Sequence, residues 1–313
     1  MKEILYKNMV SLIGFLLIII GCIAAFFGPL EIYSFYFFTE GGRFHYEGFG
    51  FGSFMFSNIV LQIIGYYLIA VVFITLGYGH FKKRLWVQKI SLALLWFWLI
   101  VGLPIIPLIL FVFISTKEPS VIVTILSIIF SLLLYSLIPF LLIRFYKAKN
   151  VYDLLNSKSI ADSIVQKYPI PFLVLIALYL FYILIFHTLL LFRGIFPFWG
   201  KWLIELQGTI IITISILYFV ALIVGTINFK LWAWWASFLY FILFTISLFS
   251  TLLASNVTHI ISLLKLPSTE ANALINIPLQ GVHLSIILGI PLLLTLAVIL
   301  YSRKYFLINR KSV

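Results

Sequence analysis

The chain is short of charge. Asp, Glu, Lys and Arg make up 10% of its 313 residues, against roughly 25% in a soluble domain, whose surface must face water. Too few charges exist to cover a globule of this size, so lipid is the solvent that suits most of the surface. Cysteine is scarcer still. The one thiol, Cys22, excludes an internal disulfide and a multi-cysteine metal site, and it reads as a small buried apolar residue. Catalytic signatures are missing as well: there is no Gly-Lys-Ser/Thr phosphate loop, no His-Glu-x-x-His pair and no Gly-x-Ser-x-Gly elbow. No Asp or Glu falls inside the long apolar runs, which weighs against a proton-coupled pump or an intramembrane aspartyl protease. The formal charge of +12 would point to nucleic acid in a soluble protein. Here it sets orientation, so membrane lipids are the expected partner, nucleic acid is not, and no cofactor is expected.

What the chain has is apolar length. Hydrophobic residues make up 64% of it, with a mean hydropathy of +1.19. A helix needs about 20 apolar residues to cross the hydrocarbon, and runs near 9–28, 56–79, 89–115, 121–143, 170–192, 208–228, 231–255 and 283–301 meet that test. The first is read as a retained helix, because it is longer than a signal-peptide core and ends Ala-Ala-Phe-Phe-Gly, without a cleavage pattern. With the amino terminus inside, 16 of the 21 basic residues are cytoplasmic, and Arg43, Lys117, Arg193, Lys201 and Lys265 remain outside. That asymmetry obeys the positive-inside rule and places both termini in the cytoplasm of a cell-membrane protein.

The sequence also reads as duplicated. The second run leaves as Gly77-Tyr-Gly-His-Phe-Lys82 and resumes at Leu85-Trp86; the sixth leaves as Gly225-Thr-Ile-Asn-Phe-Lys230 and resumes at Leu231-Trp232. The fourth ends Ile143-Arg-Phe-Tyr-Lys147 and the eighth Tyr301-Ser-Arg-Lys-Tyr305. Four helices in each half make this a parallel repeat: 1–150 with an outer aromatic loop at 29–55, a cytoplasmic linker at 151–168, and 169–313. The Gly-containing helix end, the basic residue and the Trp-rich start Lys230-Leu-Trp-Ala-Trp-Trp235 resemble an inner turn of uncharacterised prokaryotic multi-spanning membrane proteins built on four-helix units. That group has no settled activity, so the resemblance implies architecture only. In the linker region, Ser159 with Asp162 predicts a helix cap, and Val151, Leu154, Leu155, Ile160 and Ile164 predict short helices lying on the membrane or the bundle.

The first outer loop is the most unusual segment. Aromatic, β-prone runs flank Gly41-Gly42, which predicts a small hairpin over 31–52. The period-two rule then sets Arg43, His45 and Glu47 on a polar face and Phe44 and Tyr46 on an apolar one. With Glu40 and with His187, near the outer end of the fifth span, they form a candidate outer polar site. His259 and His283 are also outward. Histidine and carboxylate suit zinc, but no two histidines stand at helical ligand spacing, so isolated interfacial histidines are expected and no metal is assigned. In the second span Asn58, Gln62 and Tyr66 are four apart and share a candidate intramembrane polar face, either helix–helix glue or a pathway lining. Pro104, Pro107 and Pro291 are candidate kinks. Val257, Ile260, Ile261 and Leu264 follow the helical period, with Thr258, His259, Ser262 and Lys265 opposite, which predicts a short interfacial helix.

The expected fold is therefore an all-α integral membrane bundle of about eight transmembrane helices, in two parallel-repeat halves of four, with a small outer β-hairpin. The expected function is a non-enzymatic permease-like or accessory component, with partner membrane subunits possible. The alternative is a membrane enzyme acting on lipids at the outer interface through Arg43, His45 and Glu47.

Overall fold

The computed structural model describes residues 2–39, 41–116, 120–156, 164–277 and 279–308. Its elements in chain order are α1 (Lys2–Phe38), α2 (Phe54–Phe81), α3 (Leu85–Gly102), α4 (Ile105–Thr116), α5 (Val121–Leu132), a π-turn (Leu133–Leu137), α6 (Ile138–Lys147), α7 (Lys149–Asn156), a 3-10 turn (Ile164–Lys167), α8 (Ile170–Leu191), strands β1 (Phe196–Phe198) and β2 (Lys201–Leu203), α9 (Glu205–Ile227), α10 (Leu231–Ala254), α11 (Val257–Leu264), α12 (Ser268–Ile275) and α13 (Gly281–Ile308). Among the described residues eight helical stretches are long and apolar enough to cross a membrane, and each falls on one of the expected runs. Contacts group the chain into two compact units, Met1–Leu92 with Leu142–Tyr168, and Ala93–Leu141 with Pro169–Val313.

In the first unit α1 and α2 pack antiparallel along their length. The approach is close because α1 carries glycine every seventh residue on that side. A Cβ on Gly14, Gly21 or Gly28 would sit 2.7 Å from the His80 Cβ, 2.7 Å from Ile74 and 2.8 Å from the Tyr67 ring, respectively. Small residues that let helix backbones approach are the usual means of packing where no water drives association. Cys22 is exposed rather than buried. α7 packs on α1, turning Val151 and Leu155 inward while Ile164 stays exposed. The Ser159–Asp162 cap lies outside the described residues.

The expected hairpin over 31–52 is not formed. α1 continues past Gly28, through Pro29, to Phe38, so the first aromatic run is helical. Tyr33 meets Phe37 edge-on at 4.8 Å, an i, i+4 pair. The chain then turns back over the helix end instead of along a strand. Gly42 donates its N–H to the Thr39 carbonyl (2.9 Å), Phe44 to Phe37 (2.9 Å) and Tyr46 to Phe38 (3.2 Å). β propensity measures fit to a pleated surface; here the second run is used to satisfy the orphan carbonyls of a long helix. Alternation is lost with the strand: Arg43, Phe44, His45 and Glu47 are all exposed.

The second unit has an aromatic centre. Phe172, Tyr179, Phe186, Phe219 and Phe241 are fully buried where α8, α9, α10 and α13 pack together. The two-strand antiparallel sheet is here, between α8 and α9, with Phe196 opposite Leu203 and Phe198 opposite Lys201. Trp199 and Gly200 both take positive φ, 44° and 84°, the twist that a two-residue hairpin turn needs. Side chains one turn apart on α10 hold it: Ser247 and Thr251 accept the Trp199 and Gly200 N–H groups at 2.9 and 3.0 Å, and the Trp202 indole donates to Ser255 at 2.7 Å. α11 buries Ile261 and exposes Thr258, His259, Ser262 and Lys265, as their spacing predicts. Pro104 falls at the α3–α4 break and Pro291 lies inside α13. Pro139 has no N–H to donate. The helix widens into the π-turn just before it, and the Leu134 carbonyl accepts the Trp98 indole N–H at 3.2 Å.

The α2–α3 and α9–α10 turns have the same construction. Lys83 and Phe229 take left-handed φ values of 49° and 54°. Arg84 and Lys230 donate N–H back to Gly79 and Gly225 at 3.0 and 2.9 Å, and Lys83 and Phe229 donate to His80 and Thr226 at 3.0 Å each. This pair of bonds closes a helix on its own last carbonyls. The following Trp then lies on the glycine: a Cβ would be 2.8 Å from the Trp86 ring at Gly79 and 2.7 Å from the Trp232 ring at Gly225. The geometric counterpart of Gly225 is therefore Gly79, and the match runs without a gap to Leu85-Trp86 and Leu231-Trp232. Two residues after each Trp, a side-chain N–H reaches a carbonyl of a later helix: Gln88 to Tyr146 at 2.6 Å and Trp234 to Ile299 at 2.7 Å. Gly79→Ala and Gly225→Ala should each lower thermal stability in detergent, by about 1–3 kcal/mol from overpacking. Gly65→Ala, with nothing within 4 Å of the added carbon, should not lower it.

Candidate functional site

The sequence-derived outer site divides between the two units. Glu40 lies outside the described residues. Arg43, His45 and Glu47 belong to the first unit and are exposed on the turns after α1. Arg43 lies over the Phe44 ring at 5.8 Å. Among the described residues no hydrogen bond or ion pair joins the three to one another. His187 belongs to the second unit, where its Nδ1 bonds the Ile183 carbonyl at 2.8 Å, one turn back on its own helix. His283 accepts the Gln280 N–H at 3.1 Å and packs its ring 4.5 Å from Phe111. Among the described residues no three His, Cys, Asp or Glu side chains come together as metal ligands.

The α2 face is split as well. Tyr66 turns to α1, its ring stacked on Phe27 at 5.6 Å. Asn58 and Gln62 are half-buried and have no hydrogen-bond partner among the described residues. Beside them on the same face Gly65 is open, with nothing within 4 Å of a built Cβ. Each amide carries donors and acceptors, and in hydrocarbon an amide left unpaired costs several kcal/mol by the water-to-alkane measure.

A buried polar cluster in the first unit is absent from the sequence reading. His80 is 0% exposed and Tyr146 2%. The His80 Nδ1 bonds the Leu76 carbonyl at 2.7 Å and its Nε2 meets the Tyr146 hydroxyl at 2.5 Å. The neutral imidazole that fits both carries its proton on Nδ1 and accepts the tyrosine O–H on Nε2. Gln88 donates to the Tyr146 carbonyl, and the Lys89 ammonium donates to the carbonyls of Gln166 and Tyr168. A histidine and a tyrosine in contact can relay a proton. Both side chains are enclosed here, so their role is to tie α2 to α6. His80 stands out in the sequence only as the one histidine on the basic side, and its partner is 66 residues away.

In the second unit two buried tyrosines are also paired between helices. The Tyr179 hydroxyl meets Ser237 at 2.6 Å and the Tyr182 hydroxyl meets Thr295 at 3.0 Å. Arg193 bonds Glu205 and the Leu263 carbonyl. No protein-family model, curated protein or solved structure matches the chain.

His80→Phe, Tyr146→Phe and the double variant form a cycle that measures the tie. Unfolding in detergent should show a coupling of about 1 kcal/mol or more; additive losses would mean that the two groups do not act together.

Proposed function

We propose that the chain is a multi-pass cell-membrane protein with both termini cytoplasmic, a parallel duplication of four helices, and a non-enzymatic role as a permease-like or accessory component. Support for insertion comes from the surface. Large apolar side chains are exposed along the spans, among them Leu12, Phe26, Val71, Leu126 and Leu217, and a contiguous apolar exterior is unsuited to water. Support for orientation comes from the internal ties. The His80–Tyr146 bond draws Lys82 and Arg84 to the same end of the first unit as Arg144 and Lys147. The Trp234–Ile299 bond puts Lys230 at the same end of the second as Arg303 and Lys304. The duplication is supported by the two glycine–tryptophan turns and by the side-chain N–H two residues after each tryptophan.

The observation that carries the non-enzymatic role is the pair of half-buried amides at Asn58 and Gln62. Several interior polar groups bond one helix to another, His80, Tyr179 and Tyr182 among them; these two amides offer hydrogen bonds that the described chain does not use. Their natural complement is a polar group from a partner helix or from a solute in passage. The outer Arg43, His45 and Glu47 serve as solvated anchors on an aromatic turn.

Reporter fusions at the carboxyl terminus and within 144–168 should both read cytoplasmic; an outer signal from either would overturn the spans. For the role, a strain lacking the protein is profiled over a panel of growth conditions and complemented with variants that reach the membrane in equal amount. Arg43→Ala, His45→Ala and Glu47→Ala combined should complement as wild type does, and Asn58→Leu with Gln62→Leu should not. The reverse outcome would favour chemistry at the outer interface.

A further inference from the structure

The basic end of the second unit is organised around Arg303. Its guanidinium lies over two indoles at once, 5.2 Å from the Trp234 ring centre and 5.9 Å from that of Trp235. Trp234 is held firmly beneath it: the ring is 3% exposed, stacks on Phe238 at 5.4 Å with a 7° interplanar angle, and gives its indole N–H to the Ile299 carbonyl at 2.7 Å. The neighbouring ammonium of Lys304 rests over Tyr301 at 4.3 Å and Tyr305 at 5.0 Å. Arg303, Lys304 and Lys230 are exposed. The described carboxylates of this unit, Glu205 and Glu270, begin α9 and lie in α12, at the opposite end of the helices that carry these cations. Three positive charges thus stand together without a carboxylate among the described residues there.

Resting on the membrane-spanning reading, we propose that this end of the second unit holds the phosphate of an anionic phospholipid headgroup, with Arg303 as its principal ligand. A guanidinium drawn to indole rings by cation–π attraction is weakly hydrated, and among the described residues no protein group takes the N–H donors along its edge. That edge matches two oxygens of a phosphate, which a compact ammonium does not do as well. Trp232 and Trp235, each about half exposed, supply amphipathic rings at the depth where headgroup meets acyl chain. Lys304 and Lys230 add the charge that separates an anionic headgroup from a zwitterionic one. A plain aromatic anchor explains the rings but not a guanidinium within reach of two of them whose N–H donors no described residue takes.

The test uses the full chain in mild detergent, delipidated and titrated with phosphatidylglycerol, phosphatidylcholine or inorganic phosphate at fixed ionic strength, reading the thermal midpoint. Phosphatidylglycerol should raise the midpoint and phosphatidylcholine should not. Arg303→Gln should need about tenfold more phosphatidylglycerol for the same shift, the order expected for a charge-assisted pair of hydrogen bonds. Lys201→Gln, at the far end of the unit, should respond as wild type. If Arg303→Gln does not accumulate, Arg303→Lys makes the same comparison, since it keeps the charge and loses the paired edge. An equal response of variant and wild type, or of the two lipids, would overturn the site, and a shift reproduced by inorganic phosphate would overturn its assignment to lipid. Carbonate washing of native membranes separates the two levels: release of the protein would refute the membrane-spanning reading itself, whereas retention without phosphatidylglycerol selectivity would refute only the headgroup site.

Discussion

The last carbonyls of a helix have no partner within it, and next to hydrocarbon they cannot turn to water. The way this chain closes its helices governs most of its architecture. At Gly79 and Gly225 the backbone curls back on itself through a left-handed residue, the carbonyls are satisfied internally, and the next helix begins at once with a tryptophan packed on the glycine. A turn this tight lets α9 and α10 run as neighbours with no loop to solvate. The residue two places on then fixes a more distant helix by a single side-chain N–H. The same need explains the aromatic turn after α1, whose N–H groups cover the carbonyls of Phe37 and Phe38.

Several interior polar groups obey the same logic. Tyr179, Tyr182, His80 and Trp234 sit among apolar side chains and each bonds a group on another helix. Such bonds contribute modestly where the unfolded chain also finds partners, but they fix which helix lies against which. The amides of Asn58 and Gln62 have no such partner among the described residues, which is why the proposed role rests on them.

Much of this was legible in the sequence, for identifiable reasons. Apolar runs of about 20 residues are read directly from hydropathy, and each of the eight falls on a helix long and apolar enough to cross a membrane among the described residues; the short helix of Val257–Leu264 announced itself by period. The repeated turn was visible as Gly…Leu-Trp, although its register was not, because which glycine matters depends on where the indole lands. The strands were assigned to the wrong loop. The aromatics of 31–38 favour strand locally, but a helix already running through the preceding span continues into them at little cost. The true hairpin at Phe196–Leu203 depends on Ser247, Thr251 and Ser255, some fifty residues away. His80 with Tyr146 was hidden for the same reason, since neither residue signals its partner. Of the proposed outer site, Arg43, His45 and Glu47 lie exposed on the turns after α1, and the alternation that was to give them one face disappeared with the strand.

The measurement that bears most directly on the parallel duplication is the sidedness of the two glycine–tryptophan turns. In a Cys22→Ala background, single cysteines at Arg84, Lys230, Glu47 and Lys201 are challenged in intact cells with a membrane-impermeant maleimide. A parallel duplication predicts labelling at 47 and 201 from outside, and at 84 and 230 only after the membrane is permeabilised. Labelling of 84 and 230 from opposite sides would contradict it.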